Sequence, residues 1–445
     1  MPLSHQELTN EFSAYFDSRP KISTHCHQLP GRLLQPFDLE VLLRNSYVNW
    51  CGVPWDGSFQ SHEALLEKVR FNSFFVWLQK SLLHLYGENE LLTGSTWQSW
   101  SDRIQSAHQN QLYAHEILTQ QCGYRRMLLD AYWDPGSDNG SPEFFAPAYR
   151  VNAFFFGYSA NAVDHDGNNP YRIAPRPFIS DLNEYVGWVR ESVLAHREGG
   201  CVALKIPIAY DRGLDFEPVS DNLAQQAFVR LTAASAHQPQ PVTRNGDERN
   251  IPSNAPSNTV LLPNRTVDPD DVKTFQDYLF FQICQMAADL DLPVQIHTGM
   301  GQGRRTNAAW LQPAIRNFPG TRFVLLHCSY PWIQDISMLV DRYPNVYPDL
   351  SMLPLISTQS GITMLHELIE RGTFDRIFWG CDTWTAEESY GALLAFRYVM
   401  SETLAGKVIS GYFTRDDAKL IIEAILFKNP QRFYNLASAD KTGRR

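Results

Sequence analysis

No apolar run in this 445-residue chain approaches the roughly 20 residues that a membrane span needs. Positive charge is not in excess either. Lys and Arg number 38 against 48 Asp and Glu, a formal charge of −10, and no basic cluster stands out. Nucleic acid and anionic membrane surfaces are therefore not expected as partners. Cysteine is scarce: seven, an odd number scattered without paired spacing, which suits a reducing compartment better than a disulfide framework. The opening MPLSHQELTNEFSAYFDSRPK is polar and amphipathic and does not resemble a signal peptide. The glycines of GMGQGR (Gly299, Gly301, Gly303) follow a strand-like run, but their spacing is wrong for a dinucleotide fingerprint and no acidic partner is placed for a ribose. These exclusions leave a cytoplasmic enzyme acting on a small molecule, with homo-oligomerisation open.

What is present suits a large core: 44% of residues are hydrophobic and 13% aromatic. The length fits two or three average domains, or one barrel with insertions. After an opening helix at about Ser4–Phe16, strand-like segments appear at Lys21–Cys26, Tyr124–Ala131, Tyr149–Phe156, Cys201–Ile208, Val294–His297, Phe323–His327, Asn345–Asp349 and Arg376–Gly380. Helical patterns lie between many of them, including Asp181–His196, Asp270–Leu290, Thr363–Glu370 and Glu388–Thr403. Eight strands alternating with helices predict an α/β fold, a (β/α)8 TIM barrel spanning residues 1–445. Residues 28–116 read as a helical insertion after strand 1, with Trp50, Trp55, Trp77, Trp97 and Trp100 as its own packing core. Residues 236–266, rich in Pro, Asn and Ser, read as a long mobile loop beyond strand 4.

The strand ends carry the chemistry. KISTHCHQLP supplies His25 and His27, CVALKIPIAY supplies Lys205, PVQIHTG supplies His297, RFVLLHCSYP supplies His327 and RIFWGCDTW supplies Asp382. A parallel barrel gathers the C-terminal ends of its strands at one face, so residues far apart in sequence meet there. Alternation along the first strand turns His25 and His27 to one side and leaves Cys26 as a buried structural thiol. Singly, each signal is weak. Thirteen histidines in 445 residues give roughly 0.4 H-x-H pairs by chance. Asp382 alone could be a helix N-cap. The joint pattern points to a divalent metal, with zinc, manganese or iron suited to imidazole and carboxylate donors. A metal lowers the pKa of a bound water; Asp382 would take the proton and His327 would polarise a carbonyl.

These six strand-end positions resemble the amidohydrolase superfamily of metal-dependent hydrolases over nearly the whole chain. The segments ALKIPIAYDRGL, LPVQIHTGMG, VLLHCSYPW and NVYPDLS are similar to the amidohydrolase-type domain found fused to glutamine-synthetase-like modules. The long Trp-containing insertion after the first strand is similar to uronate isomerase. The resemblance implies that His25, His27, His297 and Asp382 are metal ligands and that His327 is the strand-six histidine. It implies one metal or two: Lys205 is a bridging ligand if carboxylated, with His327 a ligand if the site is binuclear, or else an ammonium that binds substrate. It also implies hydrolysis of a C–N, amide-type bond in a small carboxylate-bearing substrate, for which the glutamine-synthetase link suggests a γ-glutamyl amide. Uronate isomerisation and metal-dependent decarboxylation are the alternatives. Tyr210 and Arg212 after strand 4, Arg304 and Arg305 after strand 5, and Trp384 are expected to contact substrate. Tyr330 also borders the site, and Asp349 is expected to orient a ligand histidine.

Overall fold

Strand β1 (Lys21–Cys26) is buried along its whole length, as a central strand covered on both faces must be. It opens a parallel sheet in sequence order: β2 (Tyr124–Leu129), β3 (Phe145–Arg150), β4 (Ala203–Ile206), β5 (Val294–His297), β6 (Phe323–Leu326) and β7 (Val346–Asp349). The computed structural model describes residues 4–87, 89–235 and 267–436. The expected loop at 236–266 lies outside the described residues.

Residues 376–384 close the barrel with less regularity than a full strand. Phe378 forms a single parallel bridge to Asp349, with Phe378 N–H donating to Pro348 O at 3.0 Å and Leu350 N–H to Phe378 O at 2.9 Å. Beyond Phe378 the segment pairs only with β1. Asp382 N–H donates to His25 O at 2.9 Å and His27 N–H to Thr383 O at 3.0 Å. The architecture is that of a (β/α)8 barrel.

Alternation sorts the strands' side chains into two cores. Ile22, Leu128, Ala146, Ala148, Ala203, Val324, Leu326 and Phe378 fill the barrel interior, capped by Tyr434 and Leu436 from the C-terminal turn. Their neighbours Met127, Leu129, Leu204, Ile206, Val294, Ile296, Phe323 and Leu325 face the surrounding helices. This parity fixes what comes next along each strand: Asp130, Arg150, Lys205, His297 and Asp382 continue the inward set.

Two departures from parity complete the face. β1 is irregular between Ser23 and Cys26, so Ile22 and His25 both turn inward while Cys26 packs outside. At the end of β6 the next inward position would skip His327. Three consecutive residues, His327 (φ 64°), Cys328 (φ 45°) and Ser329 (φ 58°), adopt left-handed backbone and swing the imidazole inward. Each non-glycine residue held there costs about 1–2 kcal/mol, and such strain gathers at functional sites.

The sequence placed the third strand too late. The ladder occupies Phe145–Arg150, and most of the expected 149–156 stretch is a short 3-10 helix, Asn152–Phe156. Aromatic Phe154, Phe155 and Phe156 read as a strand, but they pack onto the helices around the barrel. Between β1 and β2 the helices Leu39–Arg44, Phe59–Val69, Ser73–Leu85, Trp97–Ala107 and Tyr113–Glu116 do form. They dock on the helix Ala386–Ile409, where Gly391 lets the backbones approach: a Cβ there would lie 2.9 Å from Trp77 O. Buried Glu387, near this helix's start, accepts from His108 Nε2 at 2.6 Å and from the Tyr86 hydroxyl at 2.9 Å. Glu388 accepts from Tyr47 N–H at 2.7 Å.

Candidate metal centre

Three donors converge at the C-terminal face. His25 Nε2 and His27 Nε2 each lie 3.3 Å from Asp382 Oδ1, and ligand atoms of the three residues all fall within 4.8 Å of one another. Gly380 permits this. A Cβ on it would sit 2.4 Å from His25 N, so only glycine lets the 376–384 segment lie close against β1.

His27 Nδ1 bonds to Asp130 O at 2.8 Å. A carbonyl can only accept, so the proton is on Nδ1 and the Nε2 lone pair faces Asp382. His327 is fixed in the same way, its Nδ1 donating to Ser351 O at 2.9 Å, while its Nε2 approaches His297 Nδ1 at 3.0 Å. His297 Nε2 and Asp382 Oδ1 are buried without hydrogen-bond partners. Burial pushes the His25 and His297 imidazoles well below their ordinary pKa and His327 down to about 4, so all three are neutral near pH 7. Burial alone would raise Asp382, but the surrounding His25, His27 and His327 hold it well below the usual carboxylate range. With Nδ1 protonated, the His27 Nε2 lone pair faces the Asp382 carboxylate at 3.3 Å, a repulsion that a cation between them relieves. The donor set therefore fits a divalent metal.

Lys205 completes the inner ring. It is buried, with Nζ 2.9 Å from His25 Nε2 and 3.5 Å from Asp130 Oδ2, and burial lowers its pKa. Tyr210 packs with its ring centroid 4.3 Å from that of His297, the rings tilted, and Trp384 lies nearly parallel to His27 at 5.6 Å.

The expected arginines lie elsewhere. Arg212 is held by Asp277 at 2.8 Å, Arg305 pairs with Asp215 at 3.4 Å, and Arg304 is exposed. Tyr330 is half-buried, its carbonyl accepting from Met300 N–H at 3.1 Å. Asp349 does not touch a histidine. It binds Thr24 Oγ1 at 2.6 Å and Ser351 N–H at 2.8 Å, acting on His327 through the carbonyl of Ser351. Trp50 is not confined to the insertion: it reaches Trp384 at 6.1 Å, and neighbouring Tyr47, whose hydroxyl faces Asp382, meets Trp384 edge-on at 4.7 Å.

The sequence reading missed a second group beside the donors. Arg150 NH1 donates to Asp130 Oδ2 at 2.7 Å and its NH2 to Asp166 Oδ2 at 2.5 Å. His165 Nδ1 meets Asp211 Oδ2 at 2.9 Å. Strand parity could have found Asp130 and Arg150, both at inward strand ends.

Residues 261–436 match the amidohydrolase family. Protein fluG of Emericella nidulans is 31% identical over 233 residues, 49% of this chain. That match covers only 27% of fluG, so the chain corresponds to about a quarter of that relative's length. Glucuronate isomerase from Caulobacter crescentus shares the fold at a TM-score of 0.72 and 16% identity, with 99% of this chain and 96% of that one covered. Uronate isomerase from Thermotoga maritima gives 0.70 at 14% identity, covering 98% and 100%. A protein from Lactobacillus casei provisionally assigned as a metal-dependent hydrolase gives 0.66 at 16%, covering 95% and 97%. Over residues 261–436 the chain is therefore similar to the amidohydrolase family, its fold is that of these neighbours, and its His–His–Asp donor set fits a divalent metal.

Proposed function

We propose that this protein is a hydrolase that cleaves a C–N, amide-type bond of a small carboxylate-bearing substrate, using one divalent metal held by His25, His27, His297 and Asp382. The observation that carries this reading is the buried Asp382 Oδ1, unpartnered and 3.3 Å from both His25 Nε2 and His27 Nε2. A divalent ion in such a site supplies Lewis acidity and lowers the pKa of water toward neutrality. The chain's own residues do the rest. Asp382 takes a proton from the attacking water. His327, held through Nδ1 by Ser351 O beside His297, would meet the carbonyl oxygen from Nε2 in its protonated form. Tyr210 and Trp384 flank the donors, against His297 and His27. Lys205, beside Asp130, stays an ammonium in this one-metal reading and offers its charge to the substrate carboxylate.

Elemental analysis of protein expressed with zinc or manganese and bicarbonate is the first test. Near one equivalent per chain agrees with this assignment. Near two equivalents rejects the one-metal reading and makes Lys205 a carboxylated bridge and His327 a ligand. A panel of amides then tests the reaction, and failure to release amine from any of them rejects the hydrolase.

A second reading, aldose–ketose isomerisation of a uronic acid, is favoured by fold similarity to uronate isomerases across 98–99% of the chain. That is likeness of fold alone, and function resides in the site. Formation of a ketose from glucuronate or galacturonate would establish it.

A further inference from the structure

The loop after β3 places a second imidazole at the barrel mouth, apart from the metal donors. Asp211 grips His165 twice: Oδ1 accepts its backbone N–H at 2.7 Å and Oδ2 faces Nδ1 at 2.9 Å. Asn152 Nδ2 donates to the same Asp211 Oδ2 at 3.0 Å, fixing the carboxylate in turn. This is the orientation device of a His–Asp pair: the carboxylate accepts the Nδ1–H hydrogen bond and fixes the ring, leaving Nε2 for other partners. Nε2 has Asp166 Oδ2 at 3.4 Å and Arg150 NH2 at 3.2 Å. The His165 side chain is 21% exposed, whereas those of His25 and His327 are 1% exposed. Tyr210 bridges the two groups, with its ring centroid 4.9 Å from His165 and 4.3 Å from His297.

The charges facing His165 are Asp164 and Asp166 from its own loop, Asp211 from the loop after β4, Arg150 at the end of β3 and, beyond Tyr210, His297. Burial alone would lower the imidazole, but Asp166 and Asp211 outweigh it and raise His165 to about 9. The cationic form therefore predominates at neutral pH and is lost as pH rises through that value.

We propose that His165 is the proton donor to the departing nitrogen of the scissile bond, an inference that rests on the hydrolase reading above. Water oxygen bonds to the carbonyl carbon and one of its protons passes to the Asp382 carboxylate. As the C–N bond breaks, its electron pair stays on nitrogen, which takes the Nε2 proton. Carboxylic acid and amine depart, and the proton on Asp382 returns through solvent to the neutral His165. Asp211 acts as a positioning residue.

The test is steady-state kinetics of metal-loaded wild type, His165→Asn and Asp211→Asn. The substrates are amides and anilides of one acyl group, graded by the basicity of the departing amine, plus the 4-nitrophenyl ester. His165→Asn should lose about 10²-fold or more in kcat on alkyl amides. The loss should shrink along the series and nearly vanish for the ester, whose leaving group departs unprotonated. The basic limb of the kcat–pH profile should disappear while metal content by elemental analysis stays unchanged. Asp211→Asn retains the imidazole and should give the same pattern more weakly, which covers a His165→Asn protein that fails to fold. A uniform loss across the series, or a change in KM alone, overturns the assignment and leaves hydrolysis intact. A wild type that cleaves no member overturns the hydrolase reading and this inference together.

Discussion

Replacing Glu387 with Ala should undock the helical segment between β1 and β2 from the barrel. Glu387 is fully buried, and its Oε1 alone receives His108 Nε2 at 2.6 Å and the Tyr86 hydroxyl at 2.9 Å. Truncation strands both partners. Each buried donor left unsatisfied costs about 1–3 kcal/mol, so the two together give a total near 3–5 kcal/mol. That is a large part of a typical stability of roughly 5–15 kcal/mol. Glu387→Gln keeps an acceptor in place and should cost only about 1–2 kcal/mol. Urea unfolding followed by tryptophan fluorescence measures both, since Trp77 and Trp100 are buried in this region. Hydrogen exchange should show helices Ser73–Leu85 and Trp97–Ala107 loosening first. A Glu387→Ala cost under about 1 kcal/mol, or equal costs for the two variants, would refute the reasoning.

Three further outcomes follow from the geometry. Asp382→Asn and His25→Ala should each lose bound metal by elemental analysis while retaining far-UV circular dichroism, because each removes a donor from the buried trio. Gly380→Ala should cost about 1–3 kcal/mol by overpacking, since its Cβ would lie 2.4 Å from His25 N, and metal content should fall with it. Glu388, raised to about 8 chiefly by burial, binds more protons folded than unfolded between its ordinary value of 4.5 and 8. Stability therefore falls as pH rises across that window, and Glu388→Gln should flatten the fall in urea midpoints measured at successive pH values.

The ligand-bearing strand ends were legible because short apolar runs ending in a polar residue mark buried parallel strands. His25, Lys205, His297 and Asp382 all lie where that pattern put them. The third strand was misplaced because the aromatic run at 154–156 mimics strand composition, and the error hid Arg150 at the true strand end. His327 was found for an incomplete reason: its inward direction comes from left-handed backbone, which a residue pattern does not display. The arginines were the weakest reading. Charge in a loop says nothing of distance, and Arg212 proves to be tied to Asp277. Tyr47 and Trp50 reach the mouth through tertiary folding of the helical segment, which no local spacing encodes.

The single bridge at Phe378 divides the donors mechanically. His25, His27 and Asp382 are joined by main-chain hydrogen bonds between β1 and residues 382–383, so they travel as one jaw. His297 rides on the continuous ladder of β5 and β6, the opposing jaw, with His327 just beyond that ladder's end. Between them, on the β7 side, the wall beyond Phe378 has no continuing ladder. In the one-metal reading proposed above, the separation of the two jaws would bear on which ion the site accepts. Substitutions around Phe378 and Ser351 should therefore retune metal preference without touching a donor.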